Sequence, residues 1–264
     1  MRGGGRLAAF QPRARRAATR ANGAASLVSL TPPAARDLRA RQRRALLEAG
    51  AEIRACYRVL RKGGLNVVGE VLRGQGPFVE LEHYPRDDVY DEETGAQYYY
   101  HAHRDAEHGH FHTFLRARGM PQSVAPLAYP LGSEPWPSGA DAHSHLIAIS
   151  MDAYGFPIGL FATNRWVTGE TWYPCEDVIR MLDRYAVDHA FPSWPVNRWI
   201  SAMIVLFRPH IERLLRHRDR VIAAWQRAHP GQDVFEDQAL EATGWLPISV
   251  DAWLEEVAAA DRVA

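Results

Sequence analysis

Several things are scarce in this 264-residue chain. Lysine occurs once, at Lys62, although Lys and Arg together number 31. With Ala, Gly and Pro also abundant, the bias fits a GC-rich genome, so arginine abundance carries no functional signal. Cysteine occurs twice, at Cys56 and Cys175, without a Cys-x-x-Cys pair. Two distant thiols argue against a disulfide framework and for a reducing compartment, so a cytoplasmic location is expected. No stretch approaches the roughly twenty apolar residues of a membrane-spanning helix, and no membrane span is expected. A Gly-x-Ser-x-Gly elbow, a phosphate loop and a Rossmann glycine fingerprint are all missing, which removes three common enzyme chemistries.

Acid is absent before Asp37, a stretch that contains seven arginines. Residues 1–30 therefore read as a disordered Arg-rich arm. Arg15-Arg16 ahead of the apolar residues 24–30 has the outline of a twin-arginine signal. Its apolar part is short and Thr31-Pro32-Pro33 is a poor cleavage context, so the arm reads as a solvated extension. The rest of the chain carries 24 basic against 31 acidic residues, which is not the footprint of a nucleic-acid binder. The cluster Asp87, Asp88, Asp91, Glu92 and Glu93 does not match an EF-hand and reads as a solvated loop.

With 47% hydrophobic residues, 31–264 can form one sizeable α+β domain. A helix is expected over 34–61, ended by Gly63-Gly64. Strands are expected over 66–72 and 78–84, followed by a loop over 86–95. A histidine-rich hairpin over 96–116 and a Pro-rich connector over 119–137 come next. A buried apolar hairpin follows, turning at Asp152-Ala-Tyr-Gly155. Helices are expected over 174–189, 197–229 (broken at Pro209), 235–243 and 250–260. The fold class is thus an antiparallel sheet, mostly within 65–172, with an N-terminal helix and a C-terminal helical layer over about 174–262.

What the chain has in excess is histidine, in one place. Five fall within twelve residues: His101, His103, His108, His110 and His112. If the chain turns at 104–107, His101 faces His110, His103 faces His108, and Tyr99 faces His112. Opposed residues share a face and strand side chains alternate, so all five imidazoles and the Tyr99 phenol gather on one side. Tyr98, Tyr100, Phe111 and Thr113 take the other, and a one-residue slip destroys the segregation.

Two imidazoles two residues apart on a strand can grip one ion. A third ligand completes the set and leaves open positions. His101, His103, His108, His110 and His112 are the candidate ligands, with His143 and His145 available from the next hairpin. Glu107 is a candidate ligand or general base, and Tyr99 a ligand, hydrogen-bond donor or redox residue. Arg165 and Glu170 can line a cleft for a polar small-molecule substrate or form an ion pair near a helix start. Iron, copper and zinc all suit such a donor set. The expected function is a non-haem metalloenzyme, performing oxygen-dependent redox chemistry or metal-assisted hydrolysis. A metal-binding or sensing protein without catalysis, and a structural domain without metal, are the other two readings.

Two resemblances bear on this. The spacing Gly95-x5-His101-x-His103-x3-Glu107 resembles the first cupin motif, which implies Glu107 as a metal ligand beside His101 and His103. The motif's glycine is replaced by Phe114. Pro157-x-Gly159 and Asn164 approach the second motif, but Ala162 stands where that motif has histidine. The stretch from His83-Tyr-Pro to Arg116, with Asp88-Val-Tyr-Asp91, Tyr98-Tyr-Tyr-His-Ala-His-Arg and the later Thr163-Asn-Arg-Trp-Val-Thr, more closely resembles a family of uncharacterised bacterial proteins. That family is described only as a domain of unknown function, and the resemblance implies no activity.

Overall fold

A computed structural model describes residues 30–104, 106–129 and 132–263. The arm expected over 1–30 lies outside them except for Leu30, whose N–H donates to the Trp245 carbonyl. Six antiparallel strands pair in chain order: β1 (Tyr84–Tyr90), β2 (Ala96–His101), β3 (Gly109–Arg116), β4 (His143–Met151), β5 (Pro157–Thr163) and β6 (Ala242–Pro247). The expected α+β architecture is present. The sheet is one meander with open edges, not the double-sheet jelly roll of a cupin.

Helix α1 (Ala40–Lys62) starts where the Gln42 side chain accepts from the Arg39 N–H and ends at Gly63 and the left-handed Gly64. Leu46, Ala49, Ile53, Cys56 and Leu60 make its buried stripe. This stripe packs mainly on α5 (Trp194–Leu206), which follows α2 (Val67–Leu72), α3 (Arg165–Thr168) and α4 (Cys175–Met181) in the chain. Trp199 of α5 meets Phe111, and Asn197 accepts from the Tyr98 hydroxyl at 2.6 Å. These contacts cover the Tyr98/Tyr100/Phe111 face, as the alternation requires. The long C-terminal helix breaks as expected: α5 ends at Leu206 and a second helix (Arg208–Ala228) restarts with Pro209 in its first turn. No described helix is long and apolar enough to cross a membrane.

Four expectations need correction. Residues 66–72 form a helix, α2 (Val67–Leu72), because the Asn66 side chain caps the Gly69 N–H and three valines fall on the buried side. Residues 78–83 are not strand. The Tyr84 hydroxyl donates to the Pro77 carbonyl and accepts from the Val79 N–H, folding the segment onto itself. Residues 86–90, expected as loop, are strand and belong to β1. As an edge strand β1 keeps Arg86 and Asp87 in water, and a bulge places Asp88 at φ 55°, a conformation aspartate tolerates. The helix expected over 235–243 is one 3-10 turn, and the chain then enters β6. Here Gly244 admits the His217 ring, which a Cβ would meet at 2.8 Å. The sheet therefore takes its last strand from beyond 65–172.

Candidate metal centre

The β2–β3 register pairs His101 with His110 and Tyr99 with His112. Three imidazoles thereby meet on the face opposite α1 and α5. The Nε2 atoms of His101 and His110 are 2.7 Å apart, and those of His110 and His112 are 3.1 Å apart. All three donor atoms lie within 4.8 Å of one another, and all three residues are buried. An ion bound at about 2.1 Å needs nitrogens separated by roughly 3.0–3.4 Å, for right-angle to tetrahedral coordination. Two of the three separations, His101–His110 and His110–His112, are close to that spacing.

The outer ring atoms decide what the inner ones can do. His110 Nδ1 lies 2.5 Å from Glu107 Oε1, and the Glu107 side chain is 3% exposed. A carboxylate only accepts, so Nδ1 carries the proton and Nε2 presents a lone pair. His112 Nδ1 lies 2.9 Å from His145 Nε2, whose own Nδ1 lies 3.4 Å from the Thr163 hydroxyl. Donation outward along that line frees the His112 Nε2 as well. A proton on His101 can bridge to His110. No proton then remains to separate the His110 and His112 lone pairs, and a cation would.

Burial favours neutral rings, which is the form that binds metal. Burial first, then the neighbouring imidazoles, hold His101 and His112 well below the ordinary histidine range. The same causes bring His103 to about 4. Burial, then the positive charge of Arg218, takes His145 to about 3.

The other expected residues fall at varied distances from this centre. His103 lies beyond the last β2 residue, yet its ring stands 5.0 Å from those of both His101 and His110. His108 is not paired with His103. Strand β3 begins only at Gly109, which is wedged against the His101 carbonyl and the Tyr100 ring. His108 turns away from the cluster: its Nδ1 is 2.7 Å from the Tyr100 hydroxyl and its ring stacks on Phe78. His143 lies near Phe114, with Nδ1 on the Asp141 carbonyl, and burial lowers it to about 4. Tyr99 is on the expected face, stacked on His83 at 3.6 Å and 5.2–5.3 Å from His101 and His112. Burial, with Asp88 nearby, raises its phenol well above the ordinary range.

Arg165 is buried against Glu236, with its guanidinium over Trp136. It forms an ion pair at the start of a short helix (Arg165–Thr168) and meets none of the cluster histidines at hydrogen-bonding range. Glu170 is buried and accepts the His145 N–H at 2.7 Å and the Thr168 hydroxyl at 3.2 Å. Burial raises its carboxyl from 4.5 to about 7, with Arg218 opposing. Folded Glu170 therefore holds a proton that the unfolded chain releases. The stability it adds is complete below pH 4.5 and is lost as pH rises through 7. Glu170→Gln keeps an acceptor for His145 without a charge. In urea melts it is expected to equal wild type near pH 4.5 and to exceed it by about 1–3 kcal/mol at pH 8. Equal midpoints at both pH values would refute the buried-proton account.

His83 escaped the histidine count because it stands apart in sequence. It joins the cluster's edge through Tyr99 and through Asp88, whose Oδ1 lies 2.9 Å from His83 Nδ1. Asp88 Oδ2 accepts from Gln97 at 2.6 Å, and Gln97 accepts from Arg116 at 2.6 Å. Asp88 is thus not a solvated loop acid. Nor is Asp91: burial opposes its ionisation, but the N–H groups of Asp188, Thr94 and Glu93 hold its carboxyl below the ordinary range. The only sequence signal for His83 was its place at the head of the family-like stretch.

A cavity of about 840 Å³ lies elsewhere, between α1, the start of β5 and the segment after β6. Arg54, Arg58, Phe156 and Asp251 line it, and none of the cluster histidines does. No curated protein and no solved structure matches the chain. The model of one protein family, described as a domain of unknown function (DUF6969), matches residues 47–248, a span that holds all six strands and every candidate ligand, and the chain belongs to that family.

Proposed function

We propose that this chain is a non-haem metalloenzyme whose transition-metal ion sits on the Nε2 atoms of His101, His110 and His112. The observation that carries the reading is the convergence of three buried ring nitrogens, two of them on rings whose outer atoms are already engaged, by Glu107 on His110 and by His145 on His112. Three neutral imidazoles without thiolate suit iron, copper or zinc. An ion held by three protein ligands keeps open positions, and a bound ion there supplies a Lewis-acidic centre or a redox couple. His103 is half-buried beside two of the ligands.

Oxygen-dependent redox chemistry is the reaction class favoured. The hydrolytic alternative needs Glu107 as a free general base, and its carboxylate is taken up by His110. Tyr99, in ring contact with two ligands, is the side chain placed to pass a proton or an electron to the centre. The two cysteines are both free thiols, which supports a reducing, cytoplasmic setting.

The test is elemental analysis and electron paramagnetic resonance on protein purified without a histidine tag. About one iron or copper per chain, with oxygen uptake on adding reductant, is the expected result. Zinc alone at full occupancy would favour the hydrolytic reading. Less than about a tenth of an ion per chain, unchanged after incubation with iron, copper and zinc salts, would overturn metal binding altogether.

A further inference from the structure

Two buried hydrogen-bond donors beside the histidine centre have no partner: Arg104 Nη1 and Ser150 Oγ. Ser150 stands directly opposite His110 across β3 and β4, so its side chain shares the histidine face. Arg104 reaches the same face from the turn after β2. Its guanidinium lies 4.5 Å over the Phe161 ring, and Phe161 meets His110 edge-on at 5.0 Å. Both orphan groups are therefore linked to His110, Ser150 as its partner across the strands and Arg104 through Phe161.

We propose that a small organic acid binds here, its carboxylate on Arg104 Nη1 and Ser150 Oγ and its apolar body along Phe161. The inference rests on the metal reading, because it makes this acid the substrate presented to the ion. The chemistry of the two groups selects the ligand. The guanidinium is a donor only, and beside it the hydroxyl acts as a second donor, so the complement is an acceptor with negative charge. Among the described residues of the turn, the Glu107 carboxylate is occupied by His110. Leaving a buried guanidinium N–H and a buried hydroxyl unsatisfied is costly, and a carboxylate answers both at once.

The surroundings also suit an organic body. Next to the tall histidine and aromatic rings, this face carries small residues, with Ala148 opposite His112 and Gly159 opposite Ser150. The Trp245 indole lies over Gly159 and stacks on Phe161, giving a second aromatic wall. Phe161 holds the flat side of the guanidinium and leaves its edge to the ligand, a division of roles that arginine performs and lysine cannot.

The experiment titrates zinc-loaded and chelator-stripped protein with acetate, benzoate and the neutral analogue benzamide, by calorimetry. At least one carboxylate is expected to bind and benzamide is not. Arg104→Gln should weaken that carboxylate by about tenfold or more, and Arg104→Lys should restore it only in part. Ser150→Ala, a change too small to threaten folding, should weaken it by a few-fold, and none of the three variants should lower zinc content. If stripped wild type takes up no zinc, the metal reading has failed before any acid is added. If zinc is taken up but neither carboxylate binds, or if carboxylate affinity survives both Arg104→Gln and Ser150→Ala, or if benzamide binds as well as benzoate, water fills the site and this inference alone falls.

Discussion

His101→Ala, purified without a tag, will hold less than about a tenth of the metal that wild type holds, while His108→Ala will hold all of it. In sequence the two positions look alike, each belonging to the same histidine run. In the folded chain they are opposites. The His101 Nε2 sits 2.7 Å from that of His110 inside the cluster, whereas His108 bonds the Tyr100 hydroxyl and stacks on Phe78. His101 is also the cleanest ligand to remove. His110→Ala would strand the buried Glu107 carboxylate, and His112→Ala would strip His145 of its partner. Melting temperature gives a second readout. A ligand at a hundred times its dissociation constant adds about 2.7 kcal/mol, and at roughly 2–4 °C per kcal/mol for a chain near this size the shift is about 5–10 °C. Metal added to stripped wild type and to stripped His108→Ala should raise the midpoint by that much, and His101→Ala should not respond. Equal metal loss in both variants would return the site to the five-histidine face of the simple hairpin.

That contrast marks how far the sequence could be read. Alternation in 96–101 and 109–116 was legible because one face is apolar and one is not, so the register His101–His110 and Tyr99–His112 followed from parity alone. Parity holds only while the chain is extended. It lapses at Ala102 and returns at Gly109, and within that gap His103, Glu107 and His108 take directions no period dictates. His145 was within reach as the next strand's histidine, but its role in orienting His112 depends on the bulge between Thr113 and Phe114 that shifts the β3–β4 register. His83 and Ser150 were invisible for a different reason. One lies far back in the chain and the other is a small polar residue in an apolar strand, and only the packing of β1 through β5 brings them to the same face. Strand β6 differs from the helix expected over 235–243: it carries Gly244 and Pro247, which disrupt a regular pattern but are tolerated at a sheet edge.

Glu107→Gln should weaken metal binding by about 10–100-fold without abolishing it. The carboxylate does two things for His110. It fixes the proton on Nδ1, and its charge makes Nε2 a stronger donor toward a cation. Glutamine can still accept that proton through its amide oxygen, so the ring's orientation survives while the charge is lost. Its amide can also turn and donate to Nδ1, which moves the ring proton to Nε2 and closes the ligand in that fraction of molecules. Both effects lower affinity, and neither removes a coordinating atom. If Glu107 were instead a ligand, as the cupin-like spacing implies, Glu107→Gln should empty the site as thoroughly as His101→Ala. Zinc competition against a chromophoric chelator, run on both variants side by side, separates the two arrangements. A graded loss for Glu107→Gln beside a complete loss for His101→Ala fits a carboxylate that acts through His110, and identical complete losses would place Glu107 on the metal itself.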